Sequence, residues 1–380
     1  MKVCIAIEKF DPSIGGAERY CWDLAHFLVG KGHTVAVICL KASGSAVPAI
    51  KIIKVPALRF PQALRHLSFA LLHFLKARSM RDFIHFCVGN TFFMDVYQPH
   101  GGVHRAWFLK ETAMYRSPLR TFIRILRRLS LKDAVQRAME YWIFTITRPE
   151  VIAISRMVEK DINTFFSYPH SKMHLVPNGV DLDKYNPKNR IHRSEIRHRY
   201  GMGDDEFAFL FVAQNPRLKG YDVLINACLG LEQLKFKVLI IGPCDGEMKK
   251  TAESLGDKVI FAGRAHDLCK IYPACDCLVH PTYYDACSLV VLEALASGIS
   301  VITTHSNGAG MFVDGENGSV IDSGDVNALR RSMKEAVESQ KKAVSISGLK
   351  NQAQVFAAVE EIMIGMEEHK AGPDQVITGP

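Results

Sequence analysis

Apolar and polar positions along the chain follow two rhythms that take turns. Short continuous apolar runs predict buried strands at "KVCIAIE", "HTVAVICL" and "VIAIS" (151–155), with "MHLVPNGVD" as strand plus turn. Between them the helical period predicts helices at "GAERYCWDLAHFLVGKG", "FPQALRHLSFALLHFLKARS", "DAVQRAMEYWIFTIT" and "RMVEKDINTFF". A polar stretch without periodicity, "LDKYNPKNRIHRSEIRHRYG", is the candidate interdomain linker, with the join near residues 180–190. The rhythm then restarts with "FAFLFVAQ", "FKVLIIG", "VIFAG", "CDCLVHP", "SVITT" and "SVID" as strands. "GYDVLINACLGL" and "DVNALRRSMKEAVESQ" are helices among them.

This alternation predicts a doubly wound α/β architecture with two Rossmann-like halves, residues 1–180 and 181–350. A last helix over 351–370 is a candidate to pack back on the first half, and the tail 371–380 is expected to be disordered.

Composition narrows the class. A length of 380 residues suits two domains with their own cores. The chain is 48% hydrophobic and 23% charged, as a soluble globular protein is, and no apolar run reaches the ~20 residues of a membrane span. The start "MKVCIAIEKFDPSIGG" lacks a signal peptide's cleavage site and reads as a first strand, so a cytoplasmic location is expected. Cys269, Cys275 and Cys277 lack zinc-site spacing, which leaves reduced thiols as the expectation and no metal. The net charge of +8 favours anionic partners without naming them.

The candidate chemistry centres on "PTYYDACSLVVLEALASG" (281–298), a strand–loop–helix segment. Ser288 suits an N-cap and Gly298 the position after a helix end. The intervening helix is apolar on nearly every side yet carries Glu293, and an unpaired buried carboxylate is costly. Its N-terminus would sit at the carboxyl end of a sheet, with the N–H groups of Ser288, Leu289 and Val290 suited to a phosphate or diphosphate. Glu293 could accept both hydroxyls of a ribose, and Asp285 could reach a sugar hydroxyl. On spacing alone, a buried Glu paired with an Arg and a locally capping Asp fit equally well.

The longer stretch "HPTYYDACSLVVLEALASGISVITT" resembles the E-x7-E signature of family 4 retaining GT-B glycosyltransferases (glycosyltransferase group 1). Asp285 stands for the first Glu, Ser288 for the usual Gly, and Ile299-Ser300 for Leu-Pro. "GGAER", "PHGG", "PNGVD", "RLKG" and "DGENG" follow in family order, and the set is most like lipopolysaccharide core glucosyltransferases. The resemblance implies a GT-B fold whose two domains face a central cleft. It places Gly15 and Gly16 at the donor phosphates and the acceptor, and Arg217 and Lys219 on the diphosphate as the sugar leaves. His100, with His104 as fallback, would lie near the transferred sugar. The implied catalytic set is Asp285, Lys219, Arg217 and His100, with no cofactor and no metal.

The implied reaction moves a hexose from a nucleoside-diphosphate sugar, UDP-glucose favoured, to a glycan or lipid-linked acceptor. A GT-B epimerase or hydrolase and a catalytically weak sugar-nucleotide binder are the alternatives. Finally, "RSPLRTFIRILRRLSLKD" places Leu119, Phe122, Ile123, Leu126 and Leu129 on one helical face. Arg116, Arg120, Arg124, Arg127 and Arg128 fill the rest. This suits an anionic membrane surface, an acidic acceptor, or a helix covering the first domain's core. Without aromatic stacking partners, nucleic acid is not expected. Because the family it resembles often glycosylates lipid-linked acceptors, the resemblance implies a protein peripheral at the inner face of the cytoplasmic membrane.

Overall fold

The computed structural model describes residues 1–43, 48–56, 58, 61–115, 117–265, 267–339 and 348–371, with side chains to Glu367. The chain divides into two compact units. The first holds Met1–Ala106, Thr121–Pro177 and the chain from Ala353; the second holds Trp107–Arg120 and Asn178–Gln352.

The first unit is built on strands β1 (Lys2–Ala6), β2 (Thr34–Cys39), β3 (Ile50–Lys54), β4 (Ile84–Cys87), β5 (Val96–Tyr97), β6 (Glu150–Ala153) and β7 (Met173–Leu175). They form one parallel sheet in the order β3-β2-β1-β4-β5-β6-β7. Helix α1 (Gly16–Gly30) buries Tyr20, Cys21, Leu24, Ala25 and Leu28, one stripe at helical spacing. Helix α2 (Gln62–Ala77) buries Ala63, Phe69, Ala70, His73 and Ala77. Three further helices follow: α3 (His104–Glu111), α4 (Leu119–Arg128) and α5 (Leu131–Tyr141). After α6 (Arg156–Phe166) and β7 the chain passes to the second unit at Asn178.

The second unit repeats the plan with β8 (Phe207–Val212), β9 (Phe236–Ile241), β10 (Val259–Gly263), β11 (Cys277–His280), β12 (Ser300–Thr304) and β13 (Gly318–Ile321). Their order is β10-β9-β8-β11-β12-β13, again all parallel. Every residue of β8 and β9 is buried, which is why those strands read as unbroken apolar runs. Helices α7 (Arg193–Arg199), α8 (Tyr221–Cys228), α9 (Gly246–Thr251), α10 (Leu289–Ala296) and α11 (Val326–Ser339) belong to this unit.

The closing helix α12 (Gln352–Ala371) joins the first unit. Val355, Phe356, Val359 and Met363 are buried in that unit's core, and Glu360 Oε1 lies 2.6 Å from His33 Nε2. Each such apolar side chain contributes roughly 1.5–3 kcal/mol by leaving water. The tail beyond residue 371 lies outside the described residues.

Two sequence expectations are corrected. Residues 107–120 group with the second unit rather than within a first domain running to 180. Lys110, for example, lies 5.2 Å from the centre of the Tyr284 ring. The stretch expected to link the domains is instead packed structure, a 3-10 turn over Pro187–His192 followed by α7. Ile196 is buried there, and Arg197 is only 1% exposed. The Arg197 guanidinium donates to the carbonyls of Gly203, Glu206 and Ala274 and reaches Asp276 Oδ2 at 3.4 Å. A buried cation satisfied in this way leaves no trace in an apolar pattern. All ten cysteines are free thiols, with Cys244 and Cys269 half-buried and the others buried.

Candidate functional site

In the second unit the strand order reverses between β8 and β11. The loops leaving the carboxyl ends of those strands diverge there, which makes it a place where open α/β sheets bind ligands. Gly220, between the first loop and α8, has φ +84, and a Cβ on it would lie 2.1 Å from the Pro281 carbonyl oxygen. Only glycine lets the loops close up this far. Across the seam Tyr283 N donates to Leu218 O at 2.9 Å and Thr282 Oγ1 to the same carbonyl at 3.2 Å.

The closure brings Lys219 to Asp285. Lys219 Nζ is 2.5 Å from Asp285 Oδ2 and 3.4 Å from the Tyr284 carbonyl. His280, the last residue of β11, places Nε2 3.5 Å from the same Oδ2. Burial alone would push the Asp285 carboxyl up. Lys219 and His280 outweigh it and hold the group well below the usual carboxylate range. The Asp285 backbone is fixed too, donating to Ser306 O at 3.0 Å and accepting from Gly308 N at 2.8 Å.

Ser288 is the N-cap of α10, but its side chain caps nothing. Its N–H donates instead to Asn307 Oδ1 at 3.3 Å, which also accepts from Ala309 N at 3.0 Å. Of the three N–H groups expected to meet a phosphate, that of Ser288 is therefore engaged. Those of Leu289 and Val290 have no acceptor among the described residues. They form an anion-seeking helix end in line with the macrodipole.

Glu293 lies inside α10 and is satisfied by phenols rather than by an Arg. Tyr272 donates to Oε2 at 2.8 Å, and the Tyr185 ring packs on Tyr272 with centroids 5.9 Å apart. Burial pushes the Glu293 carboxyl up, and the two phenols and Lys184 offset part of that rise.

Arg217 does not join Lys219. It is half exposed and turned to Glu247 at 2.6 Å and Asp245 at 3.4 Å, at the start of α9. The pair of cations expected together from "RLKG" is thus a single cation, Lys219, with Arg217 held by surface acids.

In the first unit, Gly15 and Gly16 open α1 with exposed backbone and no side-chain cap among the described residues. The His100 ring packs on Tyr20 with centroids 4.5 Å apart, and burial pushes its pKa down to about 4, so the imidazole is neutral at ordinary pH. His104, the fallback, is engaged in packing: its N–H donates to Glu140 Oε1 at 2.6 Å and its Nε2 lies 3.1 Å from Asp133 Oδ1.

Comparison with known proteins shows the family to which the chain belongs. Residues 14–184 match the Glycosyltransferase Family 4 domain, and residues 192–349 match the Glycosyl transferases group 1 domain. The chain belongs to the family 4, group 1 glycosyltransferases of GT-B fold. The transferase is 25% identical over 337 residues to an uncharacterized glycosyltransferase of Methanocaldococcus jannaschii, covering 81% of each chain. It is 24% identical over 335 residues to the lipopolysaccharide glucosyltransferase WaaG of Escherichia coli K12, covering 84% of this chain and 85% of that one. The crystal structure of WaaG superposes with a TM-score of 0.73 at 21% identity over 100% of both chains. That of Anabaena HepE with UDP-glucose gives 0.63 at 17% identity over 98% of both.

Three side chains of the transferase's cluster were not among the expected site residues: His280, Tyr185 and Tyr272. Each looks like an ordinary buried aromatic in the sequence, and only the fold sets them beside Asp285 and Glu293. Helix α4 differs from the simplest expectation, since none of its residues is buried. Phe122 is 59% exposed, Leu126 51% and Leu129 81%. Arg120 donates to the carbonyls of Tyr115 and Ala113, and Arg127 pairs with Asp133, while Arg116 lies outside the described residues. Among the described residues the apolar face of α4 is therefore at most half-buried.

Proposed function

We propose that this transferase moves a hexose, glucose by preference, from a UDP-sugar to a glycan or glycolipid acceptor, with retention at the anomeric carbon. The acceptor class proposed is lipopolysaccharide core or another cell-envelope polysaccharide. One observation carries the reading: a single unit sets a lysine, an ionised aspartate, an open helix N-terminus and a half-buried glutamate around one loop junction. Lys219 and the N–H groups of Leu289 and Val290 take the diphosphate, Glu293 takes the ribose hydroxyls and Asp285 takes a hexose hydroxyl. Similarity to a named lipopolysaccharide glucosyltransferase supports the donor and acceptor classes.

The leaving UDP gains negative charge as the glycosidic C–O bond breaks. Lys219 and the fixed helix dipole therefore contribute more in the transition state than in the ground state. The acceptor hydroxyl attacks the anomeric carbon from the face the phosphate leaves, and a departing phosphate oxygen takes its proton. No carboxylate of the cluster is assigned as nucleophile, and no metal is assigned a role.

We place the enzyme at the inner face of the cytoplasmic membrane, docked through α4. Its exposed Leu119, Phe122 and Leu126, with Leu129 just past its end, lie among arginines, and Leu71 and Leu75 of α2 are exposed as well. The test is turnover of UDP-glucose with isolated core oligosaccharide against donor alone, with the product anomer read by NMR. Acceptor-dependent UDP release with an α-linked product supports the proposal. Release without acceptor would indicate a hydrolase, and donor binding without transfer from any sugar nucleotide would sink the enzyme reading.

A further inference from the structure

His280 is buried at the end of a central strand, in the middle of the site. Its carbonyl accepts from Thr303 Oγ1 at 3.0 Å, and its backbone is paired with Thr303 in the β11–β12 ladder. The ring therefore has little freedom. Nε2 lies 3.5 Å from Asp285 Oδ2 and 3.4 Å from Ser288 Oγ, so it connects the carboxylate to the cap of α10. Both partners of the Asp285 carboxylate, Lys219 and His280, meet Oδ2; Oδ1 has none among the described residues.

We propose that His280 is a positioning residue that holds Asp285 by Oδ2 and leaves Oδ1 for a hydroxyl of the donor hexose. The proposal rests on Asp285 being the sugar contact. An ionised carboxylate only accepts hydrogen bonds, so Nε2 carries the proton. Nδ1 is buried without a partner, and a second proton there would bury an unpaired N–H⁺, so the ring stays neutral.

The reason for a histidine lies in the competing demand on Lys219. Its flexible stem must turn from Asp285 to the diphosphate when the donor binds, and that would release an aspartate held by lysine alone. His280 stays in place because its strand does. With the Asp285 backbone already pinned, one fixed donor on Oδ2 is enough to select the rotamer.

The test compares His280→Gln, His280→Asn and His280→Leu for kcat, KM for UDP-glucose, the pH profile of kcat/KM, and the Kd of UDP. A Gln amide reaches the place of Nε2, whereas an Asn amide reaches only that of Nδ1. Gln is expected within about 3-fold of wild type, while Asn and Leu lose about 10- to 100-fold in kcat/KM, the range for a hydrogen bond to a charged group. In the Asn and Leu variants the acid limb of the profile moves to higher pH, because Asp285 has lost a donor that favours its ionised form. UDP, which has no hexose, keeps its affinity in all three.

Wild-type kcat/KM and an unmoved acid limb in Asn and Leu would overturn the proposal. Equal losses in Gln and Asn, or loss of UDP binding alongside activity, would overturn it too, since either marks a scaffold role. Asp285→Asn run in parallel separates the two layers. Full activity there removes Asp285 from the site, whereas its loss together with an unaffected His280→Leu defeats only the role given to His280.

Discussion

Replacing Asp285 by Asn keeps the size of the side chain and removes the charge that balances Lys219. The two side chains are each 19% exposed, with nitrogen and oxygen 2.5 Å apart. At an effective dielectric of ~20, unit charges at that separation attract by roughly 7 kcal/mol, much of it offset by the desolvation of both groups. Deleting one partner of such a pair leaves the other uncompensated at a cost of about 3–5 kcal/mol, which lowers the melting temperature of a domain of this size by roughly 6–20 °C.

Asp285 titrates lower in the folded protein than in the unfolded chain. Its contribution is therefore fully present above the unfolded value of about 3.9 and is lost as pH falls through the folded one. The gap between wild type and variant should be full at about pH 6 and shrink below about pH 4.

Ligand response separates this account from simple destabilisation. In the wild type, UDP must draw Lys219 away from Asp285. In the variant Lys219 has no competing carboxylate, so UDP binds at least as tightly and raises the melting temperature by more. Transfer from UDP-glucose meanwhile falls about 100-fold or further, as on losing a charge-specific contact in the transition state. Scanning fluorimetry with and without UDP, and calorimetric titration, read both effects. A variant that melts within about 2 °C of wild type, or that binds UDP more weakly than Lys219→Met does, would refute the ion-pair reasoning.

Three other outcomes follow from the geometry. Glu293→Gln is expected to raise the KM for donor about 10-fold while stabilising the ligand-free enzyme at pH 7. The folded carboxyl titrates above its ordinary value, so this group costs stability as pH rises through that range, and the Gln advantage should vanish near pH 4 in pH-dependent melting. Arg197→Met strands the Gly203 and Glu206 carbonyls, while Arg193 still bonds Ala274 O and Asp276, and is expected to cost about 2–5 kcal/mol in urea unfolding, with the loss confined to the second unit. Phe122→Glu combined with Leu126→Glu should reduce cosedimentation with anionic vesicles about fivefold or more, in a salt-dependent assay, and leave the Kd of UDP unchanged.

Much of the fold was legible because parallel strands buried on both faces announce themselves as apolar runs, as "FAFLFV" and "FKVLII" do. The helix carrying Glu293 was legible for a different reason: a carboxylate inside an apolar helix requires a partner. Which partner was not legible, since Tyr272 reaches Glu293, with Tyr185 packed on its ring, only when the 3-10 turn Tyr272–Ala274 packs against α10. The supposed linker failed because Arg197 is a core residue stabilised by backbone carbonyls, and hydropathy scores it as surface. Arg217 turns away from Lys219 because proximity along the chain does not fix direction, and Glu247 of α9 pairs with it. His280 carried no signal at all. A lone histidine before a proline becomes part of a site only when the loop after it folds back to the same strand end.

The most direct test of the central claim is the rate of UDP release from UDP-glucose with core oligosaccharide present and absent, in wild type, Lys219→Met and Glu293→Gln. The account predicts acceptor-dependent release in wild type, a kcat loss in Lys219→Met and a KM rise in Glu293→Gln. Acceptor-dependent release that neither substitution alters would contradict it.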